Sequence, residues 1–470
     1  MSKQYTLTIN GEASGGDAGE FAVINPATEH IFAHAPLASE QQLDAAVASA
    51  KTAFIDWQHS SDQQRQKLIA DIATTLEQHA RELAEIIVAE QGKPLALAEV
   101  EVQGAIAWTR YHSALEIPVE IIEDSEHKRI ECHRKPLGVV ASITPWNWPL
   151  MIAIWHIIPA LRSGNTVICK PSNLTPINTL RLVELMNQIL PPGVVNVVTG
   201  EAQMGAAIST HPDIQKIVFT GSTATGQHIM QSAASNLKRL TLELGGNDAA
   251  IVLPDCNIEA IGEGLFQTAF LNMGQTCACI KRLYVHRSQY AEVCNTLVEL
   301  AAQQVLGDGM HSGVTFGPVQ NAAQRDKVDT LVQQARHEGA DILCGGTVPQ
   351  GHGFFYPPTI VANISNASPL VDQEQFGPAL PVIVYDTVEE AIALANDSTV
   401  GLGGSVWSSD TARAAEVAEQ LVCGTVWING HAEVLPHAPF GGCKMSGFGV
   451  EFGLEGLLEY TRAQVINTNK

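Results

Sequence analysis

The sequence predicts an α/β protein with two parallel-sheet domains and a small β arm. Three observations lead to this prediction. Short apolar runs alternate with single helical segments between residues 138 and 243, a second series of this kind fills 246–435, and a charged, alternating stretch occupies 117–138. Strands joined through single helices form right-handed βαβ units and therefore a parallel sheet. The length of 470 residues suits roughly two or three domains.

Composition narrows the class of protein. Glycine is plentiful at 39 residues and aromatic residues make up only 6% of the chain, which suits an enzyme with many tight turns. The net charge of −22 repels nucleic acid and anionic lipid, so neither is an expected partner. The nine cysteines include no CxxC pair, which indicates reduced thiols. With no apolar core at the N-terminus and no membrane-length apolar run, a cytoplasmic protein is expected.

The first elements are predicted to be helices and a hairpin. Residues 41–110 are expected to be helical, because apolar residues within 61–91 recur at helical spacing. They are Leu68, Ile69, Ile72, Leu76, Leu83, Ile86 and Ile87. Residues 117–138 alternate and carry many charges, which favours a β-hairpin arm.

Both β/α series can be divided into elements. The strands expected in the first series are Gly138–Thr144, Asn165–Lys170, Val194–Val198, Lys216–Thr220 and Arg239–Glu243. Helices are expected between them at 150–161, from Thr175 onward, at 202–209 and at 221–234. The strands expected in the second series are Ala249–Leu253, Arg282–Val285, Val382–Tyr385 and Gly424–Asn429. A short helix and strand close the chain.

Candidate functional residues follow the strands, at the edge where parallel sheets bind ligands. Asn147 lies in the loop Thr144–Pro149, between two tryptophans and two prolines; a rigid amide there can stabilise an oxyanion, or it can cap a helix. Lys170, in Lys-Pro-Ser-Asn, can hold ribose or phosphate oxygens, or simply be solvated. Gly221–Gly226 opens a helix whose N–H groups can receive a pyrophosphate, although this motif alone is weak.

Two further motifs supply reactive side chains. Glu243 precedes two glycines in Glu-Leu-Gly-Gly, where a carboxylate can move and act as a general base. Cys277 lies in Gly-Gln-Thr-Cys and could be an exposed thiolate nucleophile, although most single cysteines are buried apolar residues.

Taken together, these motifs resemble the aldehyde dehydrogenase superfamily. PWNWP, KPSN, FTGST, ELGG and GQTC occur in that family's order, followed by EQFGP (Glu374–Pro378), PFGGCKMSGFG (Pro439–Gly449) and EGLLEYT (Glu455–Thr461). The resemblance covers nearly the whole chain. It implies a Rossmann-like NAD(P)-binding domain of residues 1–116 and 134–245 and a catalytic domain of 246–440. The remaining segments, 117–133 and 455–470, are assigned to an oligomerisation arm and a closing segment. The arm and the closing strand alternate and have no obvious intradomain partner, so they are expected to form inter-subunit contacts in a homodimer or homotetramer.

The resemblance also assigns roles to individual residues. It implies that Cys277 is the nucleophile, that Glu243 activates the deacylating water, and that Asn147 stabilises the oxyanion. The residues that it places around an NAD or NADP cofactor are Ile143, Thr144, Trp146, Lys170, Asn173, Gly221, Ser222, Glu374 and Phe376. The implied reaction oxidises an aldehyde to the acid through a cysteine-bound thiohemiacetal and a thioester. No metal is expected, because neither HExxH nor a CxxC pair is present.

Two rival functions are disfavoured by these residues. Relatives that transfer the acyl group to CoA usually lack a base at the position of Glu243, so its presence favours hydrolysis. A non-enzymatic, crystallin-like protein would be favoured by loss of the nucleophile, the base or Asn147, and all three are present.

The substrate class is inferred from the residues expected near the aldehyde. The residues that the resemblance places near the aldehyde are Trp148, Trp155, Thr276, Cys279, Val434 and Phe440. Succinic-semialdehyde enzymes of the family carry an arginine at the position of Trp155, so a non-carboxylated aliphatic or aromatic aldehyde is expected. Semialdehydes, amino aldehydes and betaine aldehyde remain the alternatives. Cys279 is either a small pocket residue or a redox partner of Cys277.

Two departures from the family pattern concern the cofactor. The family often has glutamate where this chain has Asn173, and the loop Gly200–Gly205 is one residue shorter than usual. A neutral amide at position 173 removes a carboxylate that would repel a 2′-phosphate. The sequence therefore predicts that NADP is accepted, alongside NAD.

Overall fold

The computed structural model describes residues 4–470, and these begin with short strands and a group of helices. The elements are β1 Leu7–Ile9, β2 Glu12–Ser14, β3 Glu20–Ile24, β4 Ile31–Pro36, α1 Glu40–Trp57, α2 Asp62–Gln78, α3 Ala80–Gln91 and α4 Leu95–Ala114. Ser39 and Gln42 form a capping box at the start of α1, which satisfies N–H groups that the first turn leaves unpaired. The helices predicted over 41–110 are confirmed.

The arm and the first β/α series come next. They contain β5 Glu120–Asp124, β6 Lys128–Pro136, β7 Val139–Ile143, α5 Pro149–Arg162, β8 Thr166–Lys170, α6 Ile177–Met186, β9 Val195–Val197, α7 Ala202–Thr210, β10 Ile214–Thr220, α8 Thr223–Ala233 and β11 Arg239–Glu243, with a 3₁₀ turn at Ala234–Asn236. Each strand and helix expected between 138 and 243 is present, with ends that differ by a few residues.

The second series and the closing segment complete the chain. They contain β12 Asp248–Val252, α9 Ile258–Ala269, β13 Ile280–His286, α10 Tyr290–Ala302, α11 Ala322–His337, β14 Asp341–Cys344, β15 Thr359–Ala362, α12 Pro369–Asp372, β16 Ala379–Tyr385, α13 Val388–Asn396, β17 Val400–Gly401, β18 Gly403–Trp407, α14 Thr411–Ala418, β19 Thr425–Ile428, β20 Cys443–Lys444, β21 Gly447–Phe448, α15 Gly453–Leu458 and β22 Thr461–Asn469.

Two large sheets organise the molecule, and they confirm the α/β class with Rossmann-like parallel sheets. The first has the order β2-β1-β9-β8-β7-β10-β11-β21, and its five strands from β9 to β11 are parallel. The second has the order β14-β15-β16-β13-β12-β18-β19 and is parallel except for β14. Within residues 4–470, no helix is long and apolar enough to cross a membrane.

Sequence patterning missed three strands of the second sheet, β14, β15 and β18. Of these, β18 lies between β12 and β19. Its first two residues are glycines, which are poor strand formers. The structure explains them, because a Cβ at Gly403 would lie 2.4 Å from Oδ2 of Asp248 and 2.7 Å from the ring of Trp427. Close packing, which the sequence does not display, requires glycine there.

Two strands near the C-terminus, β21 and β22, pair with strands of the first half of the chain. β21 pairs with β11, placing Gly447 opposite Glu243. β22 pairs with β6 along its length, from Thr461 opposite Pro136 to Asn469 opposite Lys128. The expectation that the arm and the closing strand have no intradomain partner was therefore wrong. Alternation reveals the faces of a strand, but not which distant strand completes its hydrogen bonds.

Candidate active site

A continuous groove runs across the carboxyl ends of the first sheet. It consists of a cavity of about 550 Å³ and a smaller one of about 180 Å³. Residues that line both are Pro145, Trp146, Thr220, Gly221 and Ser222. Seven of the residues expected to contact the cofactor line the larger cavity: Ile143, Thr144, Trp146, Lys170, Asn173, Gly221 and Ser222. Glu374 and Phe376 line the smaller cavity together with Asn147 and Cys277.

The N-terminus of α8 faces the larger cavity. Ser222 caps this helix, its Oγ accepting a hydrogen bond from the Thr225 backbone N–H at 3.3 Å. A Cβ at Gly221 would lie 2.4 Å from the ring of Phe219, so glycine lets the backbone turn tightly into the helix. A helix N-terminus with a glycine turn fits a pyrophosphate, and the groove fits a dinucleotide.

The other end of the groove is built from two aromatic rings and a carboxylate. The rings of Trp146 and Phe376 are nearly perpendicular, with centroids 5.3 Å apart. Oε1 of Glu374 accepts a hydrogen bond from the Gly246 N–H at 3.1 Å. A Cβ at Gly245 would lie 2.4 Å from Oε2 of the same carboxylate. The glycines that follow Glu243 thus allow Glu374 to approach the backbone closely.

Asn147 is buried beside the loop that carries the cysteine. Its Nδ2 donates a hydrogen bond to the Gln275 carbonyl at 2.9 Å, and this is the only hydrogen bond of Nδ2 within residues 4–470. An amide nitrogen carries two N–H groups. One of them is therefore left for a group in the smaller cavity, which Asn147 lines together with Cys277.

Cys277 follows an unusual turn. Asn272, Met273 and Gly274 all have positive φ, of 52°, 56° and 72°, and left-handed non-glycine residues concentrate at functional sites. Lys281 holds the turn, its Nζ donating to the Gly274 carbonyl at 2.7 Å and the Thr276 carbonyl at 2.8 Å. The turn therefore fixes the position of the half-buried thiol.

The thiol differs from the exposed thiolate that the sequence suggested. Burial raises the pKa of Cys277 far above its usual range, and the carboxylates of Asp248, Glu374 and Glu243 raise it further, while Lys281 opposes them. A raised pKa favours the neutral thiol, so a neighbouring group that accepts its proton would assist the reaction.

Glu243 is suited to accept a proton. Its carboxylate is 4% exposed, and neither oxygen has a hydrogen-bond partner in the described part of the chain. Burial, followed by the charge of Glu451, raises its pKa well above the usual value. Gly441 leaves room beside it, because a Cβ there would lie 3.2 Å from Oε1.

A comparison of the sequence with known protein families agrees with these features. Residues 13–466 match the model of the aldehyde dehydrogenase family. The chain belongs to this family.

Individual relatives match over nearly their whole length. Phenylacetaldehyde dehydrogenase of Pseudomonas fluorescens is 39% identical over 93% of this chain and 90% of its own. Betaine aldehyde dehydrogenase of Bacillus subtilis is 37% identical over 99% of this chain and 97% of its own. The structure of an aldehyde dehydrogenase from Bacillus cereus in complex with NAD+ has a TM-score of 0.97 at 36% identity, covering 99% of this chain and 97% of that one.

In this aldehyde dehydrogenase, the expected substrate residues fall into two groups. Trp148 and Thr276 are joined by a 2.9 Å hydrogen bond from Nε1 to Oγ1. Cys279 is buried nearby, with its Sγ 3.5 Å from the Leu271 carbonyl. Burial raises the pKa of Cys279 as well, which favours a pocket residue over a redox partner.

Aromatic rings form the second group. Trp155 and Phe440 both pack on Phe452, with centroid distances of 4.7 Å and 5.9 Å. Trp108 lies 5.6 Å from Trp155. Val434 is partly buried against the same core. Sequence reasoning missed Trp108 and Phe452. Trp108 lies in α4 and Phe452 lies just before α15, so both are far in the sequence from the motifs around Trp155 and Cys277.

Sequence reasoning also missed a buried polar network around His156 and Glu451. Nε2 of His156 lies 3.1 Å from Oε1 of Glu451 and 3.0 Å from Oγ1 of Thr220. Nδ1 of His156 lies 3.0 Å from Oγ of Ser142. The helical spacing of His156 indicates only a core position, so no sequence signal identified this network.

Proposed function

We propose that this aldehyde dehydrogenase oxidises its substrate to the carboxylic acid by covalent catalysis. Cys277 is the nucleophile, Glu243 the general base and Asn147 the oxyanion donor. The observation that carries the proposal is that Cys277 and Asn147 share one cavity with Glu374 and Phe376, while the charge of Glu243 acts on the thiol. A nucleophile, a base within electrostatic range and an amide donor are the parts that acyl chemistry needs.

The raised pKa values of Cys277 and Glu243 suggest how the residues act. Sγ of Cys277 adds to the carbonyl carbon as its proton passes to Glu243, directly or through one water. The free N–H of Asn147 stabilises the oxyanion, an interaction worth about 2.7–4 kcal/mol in comparable sites. The groove residues around Gly221, Ser222, Glu374 and Phe376 would hold NAD, which would supply the oxidant for the hydride of that carbon when bound. Glu243 releases that proton to solvent and then takes a proton from the water that attacks the resulting thioester. As the C–S bond breaks and the acid leaves, Glu243 returns this proton to the Cys277 sulfur, which restores the thiol.

NAD is the first cofactor proposed, because a relative of 0.97 TM-score binds NAD+ and the residues of the groove fit a dinucleotide. NADP is also proposed to be accepted, since Asn173 is neutral. Lys170 lines the same cavity; burial lowers its pKa to about 8, while Glu201 opposes that shift. Glu201 also lines the cavity, so a 2′-phosphate would lie near the positive charge of Lys170 and the negative charge of Glu201. Strict selectivity between NAD and NADP is therefore not expected.

The substrate class proposed is a non-carboxylated aromatic or aliphatic aldehyde. The cluster around Trp155 consists of aromatic rings, and one relative acts on phenylacetaldehyde. Betaine and amino aldehydes form the second candidate, supported by the betaine aldehyde relative and by the attraction of aromatic faces for cations. A screen of phenylacetaldehyde, hexanal, betaine aldehyde, 4-aminobutanal and succinic semialdehyde, followed at 340 nm, tests both. The highest kcat/KM for succinic semialdehyde would contradict the proposed class.

Exposed strands and free cysteines support a proposal for the assembly and the compartment. All residues of β5 are exposed, and β22 exposes every residue after its first. Ile121, Ile122 and Val465 are each more than half exposed. Exposed apolar edges of this kind are usually paired, so a homodimer or homotetramer is proposed. All nine cysteines are free thiols, which favours the reducing cytoplasm.

A further inference from the structure

The connection between α3 and α4 contains a lysine that belongs to no cavity wall. Lys93 is fully buried, which is rare for a lysine that is not paired. Burial lowers its pKa to about 8, although the neighbouring Glu101 opposes this shift. A buried cation of this kind costs free energy unless its donors are satisfied, so its partners matter.

The three N–H groups of the Lys93 ammonium all have partners. Nζ lies 2.6 Å from Oε2 of Glu101 and donates at 2.8 Å to the backbone carbonyl of Asn147. It also lies 3.5 Å from the ring centroid of Trp148, a cation–π contact. Two of these three partners are consecutive residues of the loop that carries the proposed oxyanion donor.

The same loop is held from its other side. Nδ2 of Asn272, in the left-handed turn before Cys277, donates to the Asn147 carbonyl at 2.9 Å. This carbonyl therefore accepts one hydrogen bond from Lys93 and one from Asn272. A carbonyl oxygen has two lone pairs, so both are used, and the peptide plane that follows the Cα of Asn147 is fixed between the two halves of the molecule.

Glu101 extends the arrangement to the next helix. Its Oε1 accepts hydrogen bonds from the N–H groups of Leu150 at 2.9 Å and Met151 at 3.2 Å. These are in the first turn of α5, which has no side-chain cap of its own. One carboxylate thus caps α5 and pairs with Lys93, so the loop between them is anchored at both ends.

The backbone at Lys93 is itself immobilised. A Cβ at Gly309 would lie 2.5 Å from the Lys93 carbonyl oxygen, and a Cβ at Gly317 would lie 2.2 Å from the Gly92 carbonyl oxygen. Glycines at these two positions let the segment press against the second half of the chain. The ammonium of Lys93 is therefore presented from a rigid support.

We propose that Lys93 is a positioning residue for the oxidation step: with Glu101 it holds the Asn147–Trp148 peptide so that the free N–H of Asn147 points at the reacting carbonyl oxygen. The inference rests on the proposed role of Asn147. Lys93 itself touches neither cavity and exchanges no proton with the substrate. Displacement of a catalytic donor by about 1 Å can cost about 100-fold in rate, so loss of Lys93 is expected to slow acylation.

The experiment compares Lys93→Met, Asn147→Ala and the double variant in the full-length enzyme with NAD. Stopped-flow absorbance at 340 nm measures the burst of reduced cofactor, which reports acylation, and fluorescence titration measures NAD binding. Lys216→Met is the matched control, because Lys216 is also fully buried, its pKa is also lowered to about 8, and its Nζ bonds Thr241 instead of the loop.

The expected result is a 10- to 100-fold slower burst for Lys93→Met, about the scale of a misplaced donor, with unchanged NAD affinity and a wild-type burst for Lys216→Met. In the Asn147→Ala background, Lys93→Met should slow the burst no further, because no donor remains to be positioned. If Lys93 had a purely structural role, the fold losses in burst rate of the two single variants would instead multiply in the double variant.

Three outcomes overturn the inference. One is a wild-type burst in Lys93→Met, and another is a double variant whose loss is the product of the single losses. The third, a wild-type burst in Asn147→Ala, also overturns the oxyanion assignment, and so identifies a failure of the proposed function. If Lys93→Met does not fold, the variant Lys93→Met/Glu101→Gln takes its place and is combined with Asn147→Ala in the same way. It removes both charges of the buried pair, which is better tolerated than the loss of one partner.

Discussion

The imidazole Nε2 of His156 lies 3.1 Å from Oε1 of Glu451, and the charge of that glutamate raises the pKa of Glu243. Both side chains are buried. The pKa of the proposed base is therefore influenced by Glu451, a residue far from its own strand in the sequence. This relationship makes the pH dependence of the enzyme sensitive to a residue outside the reaction cavity.

Substitution of Glu451 should move the acidic limb of the pH profile. Glu243 acts as a base once ionised, so activity rises as pH passes its pKa. Burial raises that pKa most, and Glu451 adds to it; Glu451→Gln therefore shifts the rising limb of kcat to lower pH. The matched control is Glu455→Gln, an exposed residue of α15, which should leave the limb in place. This account is contradicted if the rising limb of the kcat profile of Glu451→Gln lies at the same pH as that of the wild type, or at a higher pH.

Cys277→Ala should abolish aldehyde oxidation. The substitution removes the sulfur that lines the smaller cavity, and loss of a nucleophile costs far more than 100-fold. Turnover is measured at 340 nm and NAD binding by fluorescence. Cys423→Ala, a half-buried cysteine elsewhere in the catalytic half, is the control. Turnover above about 1% of wild type would refute the assignment.

Glu243→Gln should separate the two halves of the reaction. The amide cannot take a proton from water, so thioester hydrolysis slows while some acylation survives. Stopped-flow traces should then show a burst of reduced cofactor followed by a steady state at least about 100-fold slower than wild type. An unchanged steady-state rate would show that another group is the base.

Cofactor selectivity should respond to position 173. Asn173→Glu places a carboxylate in the adenosine end of the groove, where it repels a 2′-phosphate; at about 4 Å the repulsion is about 4 kcal/mol for an effective dielectric near 20, and less at an exposed position. We expect kcat/KM with NADP to fall at least about tenfold and that with NAD to be maintained or to rise. A wild-type preference for NAD beyond about 1,000-fold that Asn173→Glu leaves unchanged would rule out this role.

The assembly can be tested by light scattering. A dimer or tetramer has two or four times the chain mass of 50.3 kDa, and a particle of the chain mass would refute the proposal. Ile121→Lys, on the exposed strand β5, should lower the mass if this edge is an interface, because a charge there must be buried. Glu123→Lys on the same strand is the control for charge alone.

Much of the fold could be predicted from local patterns. Helical spacing identified the helices of 41–110, and the alternation of apolar runs with helices identified the five parallel strands that end at Ile143, Lys170, Val197, Thr220 and Glu243. Glycine-rich strands escaped detection, since β18 is defined by close packing of Gly403 against Asp248 and Trp427. The partner of the arm was also missed, because β6 and β22 are more than 300 residues apart in the chain.

The sequence by itself determined the family and the parallel-sheet architecture, and it supplied the proposed catalytic residues, because Cys277, Glu243 and Asn147 lie within ordered local motifs. Only the tertiary structure decided what surrounds them. The pKa of Glu243 depends on Glu451, and the orientation of Asn147 depends on Lys93 and Asn272. Electrostatic and hydrogen-bonding interactions act over a few ångströms in space, irrespective of sequence separation, so no local pattern records them.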